Sequence, residues 1–128
     1  MLVPSQLTPL DTTYPCGFSS AVATIPNGTA VSNLIDFGFA TPVLLLNAAT
    51  WASAVISFLV SIDGVNFAQL SDVNGIVQTQ TLAGGEAISL SGLTFLGVRI
   101  LQIQSGTSAS QVNQSGGTAL TLVCRNLN

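Results

Sequence analysis

The chain has 128 residues, 48% of them hydrophobic and only 5% charged, with a net charge of −3 and no histidine. That length suits one domain with a single core. The balance excludes a disordered polar chain, which would lack this many apolar residues, and a nucleic-acid binder, since Arg99 and Arg125 are the only cations on offer to phosphates.

A typical soluble protein is about one quarter charged, and the interspersed charges keep it from associating. A surface built instead from Ser, Thr, Asn, Gln and Gly suits a protein that spends its life packed against neighbours. No run reaches the ~20 apolar residues of a spanning helix; the best stretch, Val43 to Ile62, is interrupted by Asn47, Thr50, Ser53, Ser57 and Ser61. The leading residues carry no basic side chain and no continuous apolar run follows them, so the chain reads as made in the cytosol, unprocessed and without a membrane partner.

Residues 1–20 read as an extended N-terminal arm. Pro4, Pro9 and Pro15 recur among Leu2, Val3, Leu7, Leu10 and Tyr14, and prolines at that spacing fix φ and remove donors, favouring an extended course over helix or central strand. Such an arm cannot bury its apolar side chains on itself, so these eight residues are the expected assembly contacts, laid on the same domain or on a neighbour. Cys16 follows; with Cys124 near the other end it permits one disulfide at most, and two unpaired thiols are expected of a cytosolic product.

Residues 21–128 read as one β-sandwich domain, with short runs of β-branched and aromatic residues separated by Gly, Asn, Asp and Ser. Strands are predicted near 21–25, 29–37, 43–47, 54–62, 65–70, 75–81, 86–91, 97–104 and 118–125. In the run 54–62, Ile56, Phe58, Val60 and Ile62 share one face while Ser57 and Ser61 lie on the other with Val55 and Leu59, which predicts one face in a core. Asp63-Gly64 then predicts a tight hairpin, and Asn74-Gly75 and Gly84-Gly85 predict further turns. The polar segment 105–117 reads as a long surface loop. In 118–125, Leu120, Leu122 and Cys124 share a face, making Cys124 a small core residue. No helical periodicity stands out, and strands this short and frequent predict an all-β fold: a single antiparallel β-sandwich, jelly-roll-like.

Sites for chemistry are scarce. Without histidine, the commonest general base, the Ser-His and Cys-His pairs and imidazole metal ligation are removed together. Paired-carboxylate hydrolysis would need two of Asp11, Asp36, Asp63, Asp72 and Glu86 to face each other. Asp63 and Asp72 are better explained by turns, Asp11 sits in the arm, and nothing in the sequence unites Asp36 with Glu86. Asp72-Val73-Asn74-Gly75 has the opening of a calcium loop, but Ala83 stands where the bidentate Glu belongs. Asn27-Gly28-Thr29 fits a glycosylation acceptor and reads more simply as a turn. No catalytic residue, metal or cofactor is therefore expected. Phe37, Phe39, Phe58, Phe67 and Phe95 are expected in the core, whereas Trp51, between strand-like runs, is a candidate surface contact. Arg99 and Arg125 are expected to pair with carboxylates such as Asp36 or Glu86.

The blocks Ile25-Pro26-Asn27-Gly28-Thr29, Phe58-Leu59-Val60-Ser61-Ile62-Asp63-Gly64-Val65-Asn66-Phe67, Leu70-Ser71-Asp72-Val73-Asn74-Gly75 and Val98-Arg99-Ile100-Leu101-Gln102-Ile103-Gln104-Ser105-Gly106-Thr107, then Val112-Asn113-Gln114 before a last strand, span about Ala23 to Arg125. Together they resemble the capsid decoration, or cement, proteins and related small virion β-sandwiches of tailed bacteriophages. The matching blocks are turns and strands rather than catalytic signatures, and the arm lies outside them. The resemblance implies a sandwich on the outer surface of a phage head, assembled in the bacterial host cytoplasm, trimeric at threefold or quasi-threefold positions, with the major capsid protein and copies of itself as partners. A different class also fits the residues: a carbohydrate- or receptor-binding module of a fibre or tail, using Trp51 and the 105–117 loop.

Overall fold

The computed structural model describes residues 8–9, 18–38, 40–47, 55–81, 85–90, 92–114 and 118–126. In chain order the elements are β1 (Thr8–Pro9), β2 (Phe18–Ile25), β3 (Ile35–Asp36), β4 (Ala40–Asn47), β5 (Val55–Ser61), β6 (Ala68–Gln69), β7 (Thr79–Thr81), β8 (Ala87–Ser89), a four-residue helical turn α1 (Gly92–Phe95), β9 (Ile100–Thr107), β10 (Ser110–Gln111) and β11 (Thr118–Asn126). Two antiparallel sheets form an all-β sandwich. One runs β1-β2-β11-β4-β8; the other runs β10-β9-β5-β6, with β3 also on β9 and β7 also on β5.

The first sheet follows from period-two patterning. In β11, Leu120, Leu122 and Cys124 are fully buried, while Ala119 and Arg125 face out. Across the ladder they meet small residues, Leu120 opposite Ala23 and Leu122 opposite Ala21, so large and small side chains alternate where the sheets pack. β4 joins the other side of β11 with one extra residue: Leu44 pairs Val123 but Pro42 pairs Cys124, so Val43 is left over as a bulge. A bulge is one of the few places a sheet accepts proline. From the second sheet Ile56, Phe58, Leu101 and Ile103 enter the same core, and α1 contributes Phe95, whose ring meets Phe58 edge-on with centroids 4.9 Å apart.

Several predicted strands are shorter than the sequence suggests, among them 86–91, where only Ala87–Ser89 forms a strand. Over 29–37 only β3 is a strand, because Ser32 Oγ accepts the Ile103 N–H at 2.9 Å where a backbone carbonyl would serve in a regular ladder. Asn33, meanwhile, turns to the other sheet: its Oδ1 accepts the Thr24 N–H at 2.8 Å and its amide nitrogen donates to Val22 O at 3.4 Å. That amide answers the same donor and acceptor that a neighbouring strand would, so it covers this stretch of the β2 edge. Over 65–70 only Ala68–Gln69 pairs, and over 75–81 only Thr79–Thr81 forms a strand beyond the Ser71–Val77 bridge.

The tight hairpin expected at Asp63-Gly64 is a wider loop, since Val60 pairs Ala68 rather than a residue nearer in sequence. The segment expected as a long surface loop is largely built into the second sheet. β9 runs on to Thr107, turns back into β10, and Ser105, Gly106 and Gln114 are buried. Gln114 Nε2 donates to Ser105 Oγ at 2.8 Å and its backbone pairs with Thr29 and Gly28. Gly106 is required there: its φ is +79°, and an added Cβ would sit 2.2 Å from Ser110 O.

β5 departs from its expected face assignment in an instructive way. Ile56 and Phe58 point into the core as predicted, but Ile62 lies beyond the strand and is 84% exposed. Ser57 and Ser61, on the opposite face of the run, are buried as well. Ser57 Oγ donates to Gly106 O at 2.8 Å and accepts from Gln69 Nε2 at 3.2 Å, with Gln104 Oε1 also 3.2 Å away. Ser108 Oγ donates to the same Gln104 oxygen. A buried polar row of this kind is stable only when its members satisfy one another.

Candidate assembly surface

Of the expected arm contacts, Pro9 lies in β1, where its backbone pairs with Ser19 at the edge of β2. Leu2, Val3, Pro4, Leu7, Leu10, Tyr14 and Pro15 lie outside the described residues, as do Cys16, Phe39 and the candidate contact Trp51. β2 begins at Phe18. The surface chemistry that can be described comes from two other places.

The first is the outward face of the five-stranded sheet. Alternation that sends Ala21, Ala23, Leu120 and Leu122 inward turns Phe18, Val22, Thr24, Ala119 and Arg125 outward. Register then lines up Val22, Thr121, Leu46 and Ala87 across four strands, and Ser20, Val123, Leu44 and Ser89 beside them. Neither row holds a charge; Arg125 stands in the next row, opposite Phe18. The sequence suggested a carboxylate partner for it; instead its guanidinium lies 5.6 Å from the centroid of Phe18, its cross-strand neighbour. An exposed cation–π pair of this kind contributes about 0.5–1 kcal/mol.

The second is the edge where β5 meets β6 and β7. After β5 the chain makes two loops, each organised by an aspartate. Asp63 Oδ1 accepts the Val65 and Asn66 N–H groups at 2.8 Å each, Oδ2 accepts from the Asn66 amide at 2.8 Å, and Ser61 donates to Oδ1 at 2.9 Å. Gly64 takes φ +77° to close the turn. These donors, the Asn66 and Val65 backbone amides foremost, hold the Asp63 carboxyl well below the usual carboxylate range. Asp72 repeats the device, its Oδ1 accepting from the Asn74 and Ile76 N–H groups at 2.8 and 3.0 Å. It is therefore a turn former, as the missing calcium-loop glutamate indicated. Both loops hold aliphatic side chains outward: Ile62 and Val65 on the first, Val73 and Ile76 on the second, with Val73 100% exposed.

Between the first loop, β6 and the turn after α1 lies an open, mostly apolar cleft of about 480 Å³, walled by Val60, Phe67, Ala68, Leu70 and Val98 with Arg99 at its rim. Phe67, expected in the core, is only half-buried there, whereas Phe37, Phe58 and Phe95 are core residues as expected. Arg99 has the partner anticipated for it, its Nε standing 3.5 Å from Asp36 Oδ1. The pair is largely exposed on the arginine side and contributes little to stability.

The described carboxylates are thus spent singly, on two turns and one ion pair, with Glu86 exposed beside the Gly85 turn. No cluster of three His, Cys, Asp or Glu occurs among the described residues, and none of their helices is long and apolar enough to cross a membrane. Cys124 is a free thiol fully buried in the core, and burial pushes its pKa up to about 12. The apolar loop tips are hidden in the sequence because Ile-Asp-Gly-Val and Asp-Val-Asn-Gly-Ile look like cross-strand pairs flanking a turn; the signal for exposure is the aspartate that opens each loop and withdraws the next amides from any ladder.

No protein-family model matches the chain, and no curated protein matches it in sequence.

Proposed function

We propose that the chain is a non-enzymatic structural protein of a virion, a decoration or cement protein that binds the outer surface of a phage head and stabilises it through contacts with the major capsid protein and with its own copies. The observation that carries this reading is the outward face of the five-stranded sheet, where Phe18, Val22, Leu44, Leu46 and Val123 stand among hydroxyl and alanine side chains with Arg125 as the one charge of the described rows. Water exposure of such a face is unfavourable at roughly 25 cal/mol per Å² of apolar area, and a sheet face with so little charge can meet a neighbour while desolvating few ions. Symmetric repetition over a shell turns individually weak contacts into a strong clamp. The chain's 5% charge fits a protein whose exterior is covered in use. A trimer at threefold positions belongs to the same proposal, whereas Thr8–Pro9 of the arm lies on its own β2 and Phe18–Ser20 is part of that strand.

The test is co-sedimentation with purified empty phage heads. The full chain is expected to pellet with the heads and Val22→Asp to stay in the supernatant while keeping its native circular dichroism. A chain that neither binds heads nor associates with itself would overturn the reading.

A further inference from the structure

The Asp72–Ile76 hairpin leaves the sheet between Ser71 and Val77, which bridge at its base. Its tip is held by the two amides on Asp72 Oδ1 and by backbone bonds from Gly75 N to Asp72 O and from Asp72 N to Ile76 O at 3.0 and 2.8 Å. The exposure of Val73, 100%, and of Ile76, 63%, therefore belongs to a fixed shape. A tip already rigid loses little entropy on docking. Val73 is fully exposed and is not among the residues that line the apolar cleft beside Leu70.

The cleft suits a protein side chain better than a small polar ligand. The buried polar group in its wall, Ser61, has its hydroxyl committed to Asp63 and Gly64, which leaves no buried anchor to orient a ligand. At its rim Arg99, its side chain 62% exposed, meets Asp36 through Nε at 3.5 Å. The hairpin carries one charge, Asp72, of the opposite sign. Knob and hole thus match in polarity and in charge.

We infer that Val73 and Ile76 of one copy insert into the Val60/Phe67/Leu70/Val98 cleft of a second copy, with Asp72 facing Arg99 across the contact. The inference rests on the proposed reading that the chain works as an assembly of its own copies, and it names the edge through which they meet.

Sedimentation velocity of the full chain over a concentration series tests it, with Val73→Asp on the knob and Ala68→Trp filling the hole; both positions are exposed, so the fold is retained. Each variant is expected to weaken self-association by roughly tenfold or more. In a Cys16→Ser background, Val73→Cys mixed with Thr94→Cys is expected to give a cross-linked pair, Cys124 being buried and silent. Self-association undiminished by either variant, or diminished by the knob variant alone, overturns the docking while leaving the assembly reading intact. A wild-type chain that stays single at every concentration overturns the docking, and one that also fails to bind empty heads overturns both.

Discussion

In the five-stranded sheet β2 and β11 have one dry side and one wetter side, so that Leu120 and Leu122 of β11 are fully buried while Ala119 and Arg125 on the other side are exposed. In the other sheet β5 and β9 are covered on both sides, and Ser57, Gln104 and Ser105 are as buried as Ile56 and Ile103. The first arrangement leaves a broad face free for other molecules. The second spends its outer side on an internal polar row and displaces its apolar groups to loop tips, where Ile62, Val65, Val73 and Ile76 meet water. One molecule thereby carries two kinds of exposed apolar surface, an outward sheet face and a pair of loop tips beside a cleft.

The comparison can be broken most severely in the shared core. Leu122→Ala is expected to cost about 2–5 kcal/mol, because it removes a fully buried side chain between Ala21 and Leu45 and leaves a cavity in the packed core; urea unfolding measures it. Gly106→Ala should follow at about 2 kcal/mol or more, from the positive φ and the clash with Ser110 O, and it should loosen hydrogen-exchange protection over β9 and β10 before touching β11. Asn33→Ala, which uncovers Thr24 N and Val22 O, is expected to cost about 1 kcal/mol and to make the β2 edge available for unwanted strand pairing, seen as slow aggregation of otherwise folded protein.

The smallest effect is the pH response of the Asp63 loop. Its folded pKa is depressed below the ordinary value of 3.8, so the loop's contribution is complete above that value and is lost only as pH falls further, through the folded pKa. An NMR titration should therefore find the Val65 and Asn66 amides unmoved at the pH where an ordinary aspartate is half protonated, and a midpoint near 4 would contradict the geometry.

How much of this was legible depended on where the partner of each residue lay. β2 and β11 were readable because alternation alone separates Ala21, Ala23, Leu120, Leu122 and Cys124 from their neighbours, and one face stays wet. β5 was half readable: Ile56 and Phe58 declared themselves, but the burial of Ser57 depends on Gln104 and Gly106, dozens of residues downstream, which local patterning cannot bring to it. The stretch 29–37 misled because Ser32 and Asn33 replace backbone groups with side chains, so β-rich composition there does not become a ladder. At the surface, low charge pointed to contact with other protein without marking the place; Val73 and Ile76 emerge only once Asp72 is seen to hold the turn.

The central claim, that an exterior so poor in charge is meant to be covered, is tested most directly by sedimentation equilibrium of the full chain at low and high sulfate. Apolar contact predicts reversible association that holds or strengthens as salt rises, since sulfate favours burial of apolar surface and screens only charge. A lone subunit at all concentrations, or association that melts away with salt, would contradict it.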